Sequence, residues 1–166
     1  MTIIKKILVP TDLSDHSLVA MDFATALAMP SDGQIYLVHV VEIDPVLALR
    51  TVDLNSETIL RDAEEGSRKE MQRFFSVKLN QRSNLTYIVR RGDAYKEIMK
   101  FARDESIDVI VMATHGRTGI AHALLGSVAE KVVRHATVPV LTVKPHIIQE
   151  KLLKDQEVEE QLHLKG

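Results

Sequence analysis

"DVIVMATHGRTGIAHALLGSVAEK", Asp108 to Lys131, is the stretch that decides the fold. It begins as an apolar run with no polar alternation, which reads as a strand covered on both faces. It then turns into a polar loop with three glycines, Gly116, Gly119 and Gly126. From Ser127 it continues as "SVAEKVVRHA", whose apolar residues recur at helical spacing. A buried strand that runs through a glycine loop into a helix is one unit of an α/β fold.

The rest of the chain repeats that alternation. "IIKKILVP" is a strand ending at Pro10, followed by the loop "TDLS" and a helix over "DHSLVAMDFATALAM". That helix has Ala20, Met21, Ala24, Leu27 and Ala28 on its inward side and Ser14 as its cap. "QIYLVHVV" is a second buried strand, bounded by Gly33 and Pro45. Residues 44–55 read as a long loop or a partly ordered lid. An amphipathic helix runs from Ser56 to about Gln81, with Ile59, Leu60, Ala63, Met71, Phe74 and Phe75 inward. "NLTYIVRRG" is a third strand closed by Gly92, "DAYKEIMKFARDES" a helix, and "VPVLTVK" a fifth strand after the Ser127 helix.

Near-continuous apolar strands separated by helices require a parallel sheet covered on both faces. Right-handed crossovers make it a doubly wound open five-stranded α/β sheet, Rossmann-like, with helices on both faces. Such sheets bind ligands beyond the carboxyl ends of their strands, where the winding reverses. The two strand ends with unusual chemistry are "VPTDLS" and "MATHGRTG", so they are expected to be neighbours and to form one site.

Composition narrows the function. The chain has 166 residues, 45% hydrophobic and 27% charged, which suits one globular domain. A formal net charge of −2 lacks the basic footprint of a nucleic-acid binder. The absence of cysteine excludes disulfides, cysteine–zinc sites and thiol nucleophiles. The opening "MTIIKKILVPTD" is too short in apolar residues for a signal peptide, and no segment nears the ~20 apolar residues of a membrane span. The expectation is a cytoplasmic protein with neither nucleic-acid nor membrane partners. Residues 1–144 form the domain; residues 145–166 are a charged tail that is either a short helix, a partner-binding segment or a frayed end.

Glycines in the Asp108–Lys131 loop can adopt positive φ and let a ligand approach the backbone. The helix start after Gly126 offers unpaired amides and a dipole that favour anions, which makes the loop a candidate phosphate cradle. Ser127 and Glu130 also spell S-x-x-E, a capping box that would satisfy those amides with no ligand. Spacing alone leaves both readings open.

With those residues in view, the sequence resembles the universal stress proteins, the UspA family, of the type with an ATP-binding motif. The family motif G-x2-G-x9-G-[ST] is matched by "ATHG", nine residues "RTGIAHALL", and "GS". Ala113 stands where the motif begins with glycine, a change that strains the chain only if φ there is positive. "ILVPTDLS" and "VVRHATVPVLTVK" match the family's opening and closing segments, and the likeness spans residues 2–144. The resemblance implies an adenine nucleotide alpha hydrolase-like sheet and a cofactor, ATP, with or without magnesium or manganese. It implies Asp12, flanked by Pro10 and Thr11, against the nucleoside, and backbone near Val40 around the adenine. Ala113 and Gly116 would lie along ribose and phosphates, Met112 would belong to the same binding set, and Gly126, Ser127 and Val128 would hold the phosphate chain. It also implies a homodimer through the Val138–Lys144 strand.

Other residues carry competing readings. His115 is either a phosphate contact, a general acid or base, or a solvated loop residue; no partner nucleophile stands beside it. Arg117 is either a phosphate cation or a solvated arginine. Asp12 can hold a divalent ion through the phosphates or serve the turn. His39 reads as a core histidine, His122 and His135 match no metal spacing, and no catalytic residue is assigned. The leading expectation is a stress-response module that binds ATP or a related adenine nucleotide and acts on an unidentified regulatory protein. The alternatives are a slow ATPase or phosphoryl-transfer enzyme on the same site, and a nucleotide-independent dimeric scaffold. The loop lacks the lysine of a P-loop, which weighs against efficient phosphoryl transfer.

Overall fold

The computed structural model describes residues 3–42, 56–76, 84–114 and 125–144. The expected lid over residues 44–55, most of the glycine loop and the tail from residue 145 lie outside the described residues.

Five strands form one sheet in the order β3-β2-β1-β4-β5. They are β1 Lys6–Thr11, β2 Gln34–Val41, β3 Leu85–Arg91, β4 Val109–Ala113 and β5 Val140–Val143, and every pair is parallel. Among the described residues four α-helices connect them: α1 Asp15–Ala28, α2 Ser56–Ser76, α3 Ala94–Asp104 and α4 Ser127–His135. The chain winds outward from β1 to β3, then crosses back to β4 and β5. The reversal therefore falls between β1 and β4, which pair through Ile7 with Val109 and Leu8 with Ile110.

Strand residues alternate between two cores. Ile7, Val9, Ile35, Leu37, Val109 and Val111 meet α1 and α2 on one face. Leu8, Val38, Ile110 and Met112 meet α3 and α4 on the other, where Ile98, Phe101, Ala129 and Val132 fill the space. A sheet covered on both faces needs this two-sided apolarity, and that is why its strands read as unbroken apolar runs. α1 presents small residues to the sheet, Ala20, Ala24 and Ala28, so it packs closely. α2 differs from the expectation. Met71 and Phe75 are fully buried, but Ala63 is exposed, so the helix docks chiefly through its last turns. Charged residues such as Arg61, Asp62, Glu65, Lys69 and Glu70 are exposed along its earlier turns.

The sheet's two borders are treated differently. Along β3, Arg68 of α2 donates from Nη1 to the Tyr87 carbonyl at 2.8 Å, and Glu64 of α2 pairs with Arg91. β5 is four residues long, with Leu141 exposed at 36%.

Helix ends follow local chemistry. α3 begins after Gly92, whose φ of +131° closes β3 in a conformation that side chains disfavour. Asp93 then caps α3, accepting from the Lys96 amide at 2.9 Å. At its other end, Ile107 N–H donates to Ala102 O at 2.9 Å and Ser106 N–H to Arg103 O at 3.1 Å, with Ser106 left-handed at φ 51°. This is a Schellman closure with serine in the place usually held by glycine.

Candidate functional site

The winding reversal opens a cleft of about 560 Å3 beyond the carboxyl ends of β1, β2 and β4. Open parallel sheets place their ligands at this point.

One wall is the elbow between β1 and α1. Thr11 Oγ1 accepts from the Leu13 amide at 3.0 Å and donates to Ser17 Oγ at 2.8 Å; Ser17 Oγ donates onward to the Ser14 carbonyl at 2.6 Å. Asp12 Oδ1 accepts from the Ser14 amide at 3.1 Å and the Ser14 hydroxyl at 2.6 Å. Ser14 occupies the cap position of α1 but makes no side-chain cap bond, because its hydroxyl is given to Asp12. Leu13 adopts φ 63°, a left-handed conformation unusual for leucine.

The opposite wall is the start of α4. The Gly126 amide donates to the Thr114 carbonyl at 2.7 Å, and the Thr114 amide donates to Val143 O at 2.9 Å. The helix start is thereby pinned beside the end of β4. Gly126 is the N-cap residue, and it has no side chain to offer the amides behind it. Ser127 is already the first helical residue, one position too late to cap, and Glu130 pairs with Arg134 at 2.8 Å instead of reaching back. The S-x-x-E pattern is therefore not a capping box. Gly126 has φ −68° and ψ 158°, so the expected positive φ is absent and any residue could adopt its backbone. Ala113 lies in β4, and positive φ among the described residues falls only at Leu13, Asp32, Gly92 and Ser106. Alanine at the motif's first position is unstrained.

Of the residues singled out from sequence, Pro10, Thr11 and Asp12 border the cleft on one side, and Gly126, Ser127 and Val128 on the other. Val40, Met112 and Ala113 line the ground between them. His115, Gly116 and Arg117 lie outside the described residues. The cleft also takes in residues that sequence reasoning did not assign to it: Ser17, His39, Ser67, Ala94, Ile98 and Thr114. Ser17 and Ser67 come from helices on the α1–α2 face, and neither stands in a motif. His39 is half-buried, and its Nδ1 lies 2.9 Å from the Thr11 carbonyl. A carbonyl only accepts, so Nδ1 carries the proton and, in the neutral ring, Nε2 is an acceptor. Among the described residues no three of His, Asp and Glu gather as a metal site.

An apolar floor, a carboxylate at one end and a helix start at the other form a donor set that fits a nucleotide: anions favour the helix amides and dipole, and sugar hydroxyls or an amino group favour the carboxylate. A sequence model of the universal stress protein family matches residues 4–144. The chain belongs to the universal stress protein family. The universal stress protein MJ0531 of Methanocaldococcus jannaschii is 37% identical over 145 residues, covering 84% of this chain and 82% of its own length. The solved structure of MJ0577, a universal stress protein of the same organism, superposes with a TM-score of 0.74 at 29% identity, covering 86% of this chain and 97% of that one. A universal stress protein solved in complex with cAMP has the same fold, with a TM-score of 0.57 at 23% identity over 86% of this chain and 98% of that one. No helix among the described residues of this universal stress protein is long and apolar enough to cross a membrane.

Proposed function

We propose that this universal stress protein binds ATP or a related adenine nucleotide in the cleft and acts as a cytoplasmic regulatory module. The observation that carries the reading is the start of α4: a helix N-terminus that borders the cleft and is capped by a glycine. Its amides and dipole would hold the phosphate chain at Ser127 and Val128. Asp12, at the far wall, would accept from the ribose hydroxyls. Val40 and Met112 would flank the base, with Ala113 between them and the phosphates. His115, Gly116 and Arg117 complete the proposed set through the motif. Magnesium or manganese arriving with ATP would be held by the phosphate oxygens and Asp12, and would neutralise phosphate charge there. Binding of cAMP by a protein of the same fold favours an adenine nucleotide over other anions.

The test is direct. Purified protein, denatured and filtered, should release adenine nucleotide, and calorimetric titration of the stripped protein should rank ATP, ADP, AMP and cAMP. Protein that releases none and titrates with none of the four would end the reading.

The same proposal includes assembly. β5 is a border strand, and an antiparallel twofold copy would pair its backbone and cover Leu141. Light scattering should then give a dimer. Leu141→Lys, a charge on an exposed position, should shift it toward monomer; a wild-type monomer at micromolar concentration would remove the interface.

A further inference from the structure

The elbow that carries Asp12 contains a contradiction of local preference. Leu13 sits at φ 63°, where a Cβ crowds the following carbonyl and glycine or asparagine would be at ease. Leucine there is not explained by the backbone. It is explained by the side chain, which is partly buried and packs against the core shared by α1 and α2. Leu13 itself does not line the cleft. Its neighbours do, and their side chains are fixed by the turn that Leu13 makes. The Leu13 amide is held by Thr11 Oγ1 at 3.0 Å, and the next amide, Ser14, by Asp12 Oδ1 at 3.1 Å. The second of these bonds orients the Asp12 carboxylate. Returning Leu13 to an ordinary φ would rotate the peptide that presents the Ser14 amide and pull the leucine side chain out of the core. The strand side of the elbow is fixed as well, since His39 Nδ1–H donates to the Thr11 carbonyl at 2.9 Å.

We infer that Leu13 is a positioning residue for Asp12: its partly buried side chain, packed against the core, holds the left-handed turn that keeps the carboxylate aimed before any ligand arrives. The advantage is preorganisation, since a carboxylate already ordered loses less freedom on binding. This deepens the nucleotide reading and rests on it for the ligand's identity, but the turn itself can be tested without ligand.

The experiment uses the full chain as wild type, Leu13→Ala, Leu13→Gly and Leu13→Met, each also with Asp12→Ala. In ligand-free protein, hydrogen exchange at the Ser14 amide should be faster in Leu13→Ala than in wild type, with β1 amides unchanged, because local opening there no longer pulls an apolar side chain off the core. Leu13→Met keeps an apolar anchor and should restore slow exchange. Leu13→Gly tolerates the turn without strain, so it should fold even if Leu13→Ala does not, and it should exchange fast. Titration with AMP and ATP should then find affinity reduced about two- to tenfold in Leu13→Ala, the scale of ordering one side chain. That loss should vanish in the Asp12→Ala background, since a residue acting through Asp12 has nothing left to act on. Unchanged Ser14 exchange in both Leu13→Ala and Leu13→Gly overturns the inference, as does an affinity loss that persists undiminished without Asp12. A wild type that binds no nucleotide defeats the functional reading instead, and the exchange data alone then decide for or against the turn.

Discussion

α3 and α4 lie on one face of the sheet and both begin beyond the carboxyl ends of its strands, yet they begin differently. α3 is closed by its own sequence: Asp93 takes the Lys96 amide at 2.9 Å. α4 starts at Gly126, which has no side chain to give, and its serine and glutamate are out of register for a box. The two cap residues have nearly the same backbone, φ −74° and ψ 123° at Asp93 against φ −68° and ψ 158° at Gly126. Backbone geometry therefore does not account for the difference. α3 closes its first turn with the Asp93 side chain although Ala94 borders the cleft, whereas α4 has no side-chain cap from Gly126 where Gly126, Ser127 and Val128 border the same cleft.

Exchanging the two chemistries should break the contrast. Gly126→Asp gives α4 the cap of α3 and sets a carboxylate where phosphate is proposed to sit. Like charges in contact cost several kcal/mol, so nucleotide affinity should fall at least about a hundredfold by calorimetry. The ligand-free mutant should meanwhile gain about 0.5 kcal/mol from the cap and the dipole, read as a higher urea midpoint. Affinity that survives this change would take α4 out of the site. Asp12→Ala removes the charge from the other wall, and loss of a hydrogen bond to a carboxylate, about 1.5–3 kcal/mol, should weaken binding about ten- to a hundredfold. Asp12 Oδ1 also holds Ser14, so Asp12→Asn is the companion variant: it keeps an acceptor for the turn and separates loss of charge from loss of the elbow. Equal affinities in all three proteins would remove Asp12 from the contact.

Asp93→Ala tests the other side of the comparison. It should lower stability by about 1 kcal/mol, a melting shift of about 2–4 °C, and leave nucleotide affinity where it was. An affinity loss would mean that the α3 start also serves the ligand. The smallest effect belongs to the far end of α3. Ser106→Gly relieves a left-handed serine, and the gain, offset by glycine's greater freedom in the unfolded chain, should be about 0.5 kcal/mol by urea unfolding, with no change in binding. A loss of stability would mean that the serine side chain holds the closure.

Much of the architecture was legible because a doubly covered sheet writes itself as apolar runs between punctuation. β2 falls on "QIYLVHVV" without a residue's difference, since Gly33 precedes it and charge follows. The neighbouring ends of β1 and β4 were expected because "VPTDLS" and "MATHGRTG" carry the unusual chemistry that an open sheet places at its winding reversal. What misled was pattern without register. Ser127 and Glu130 keep the spacing of a capping box but stand one residue late, because Gly126 takes the cap. Ala63 keeps helical spacing with Met71 yet is exposed, while its neighbour Glu64 reaches Arg91 at the end of β3. Ser17 and Ser67 reach the cleft by folding alone, outside any motif; His39 stands beside Val40 but read as a core histidine. The strain at Leu13 is invisible in sequence, since the residue type argues against the conformation it adopts.

The unequal borders of the sheet set how far any association can grow. With the Tyr87 carbonyl occupied by Arg68 and the end of β3 tied through Glu64 and Arg91, that side resists a newcomer's backbone. β5 has no such cover among the described residues. With β5 pairing as proposed, such a building block has a valency of one: two blocks exhaust each other, and no fibre propagates through the pair. Replacing Arg68 would therefore do more than loosen a helix. Under that proposal it would also free the Tyr87 carbonyl on the second border, a first step from a finite complex toward an endless one.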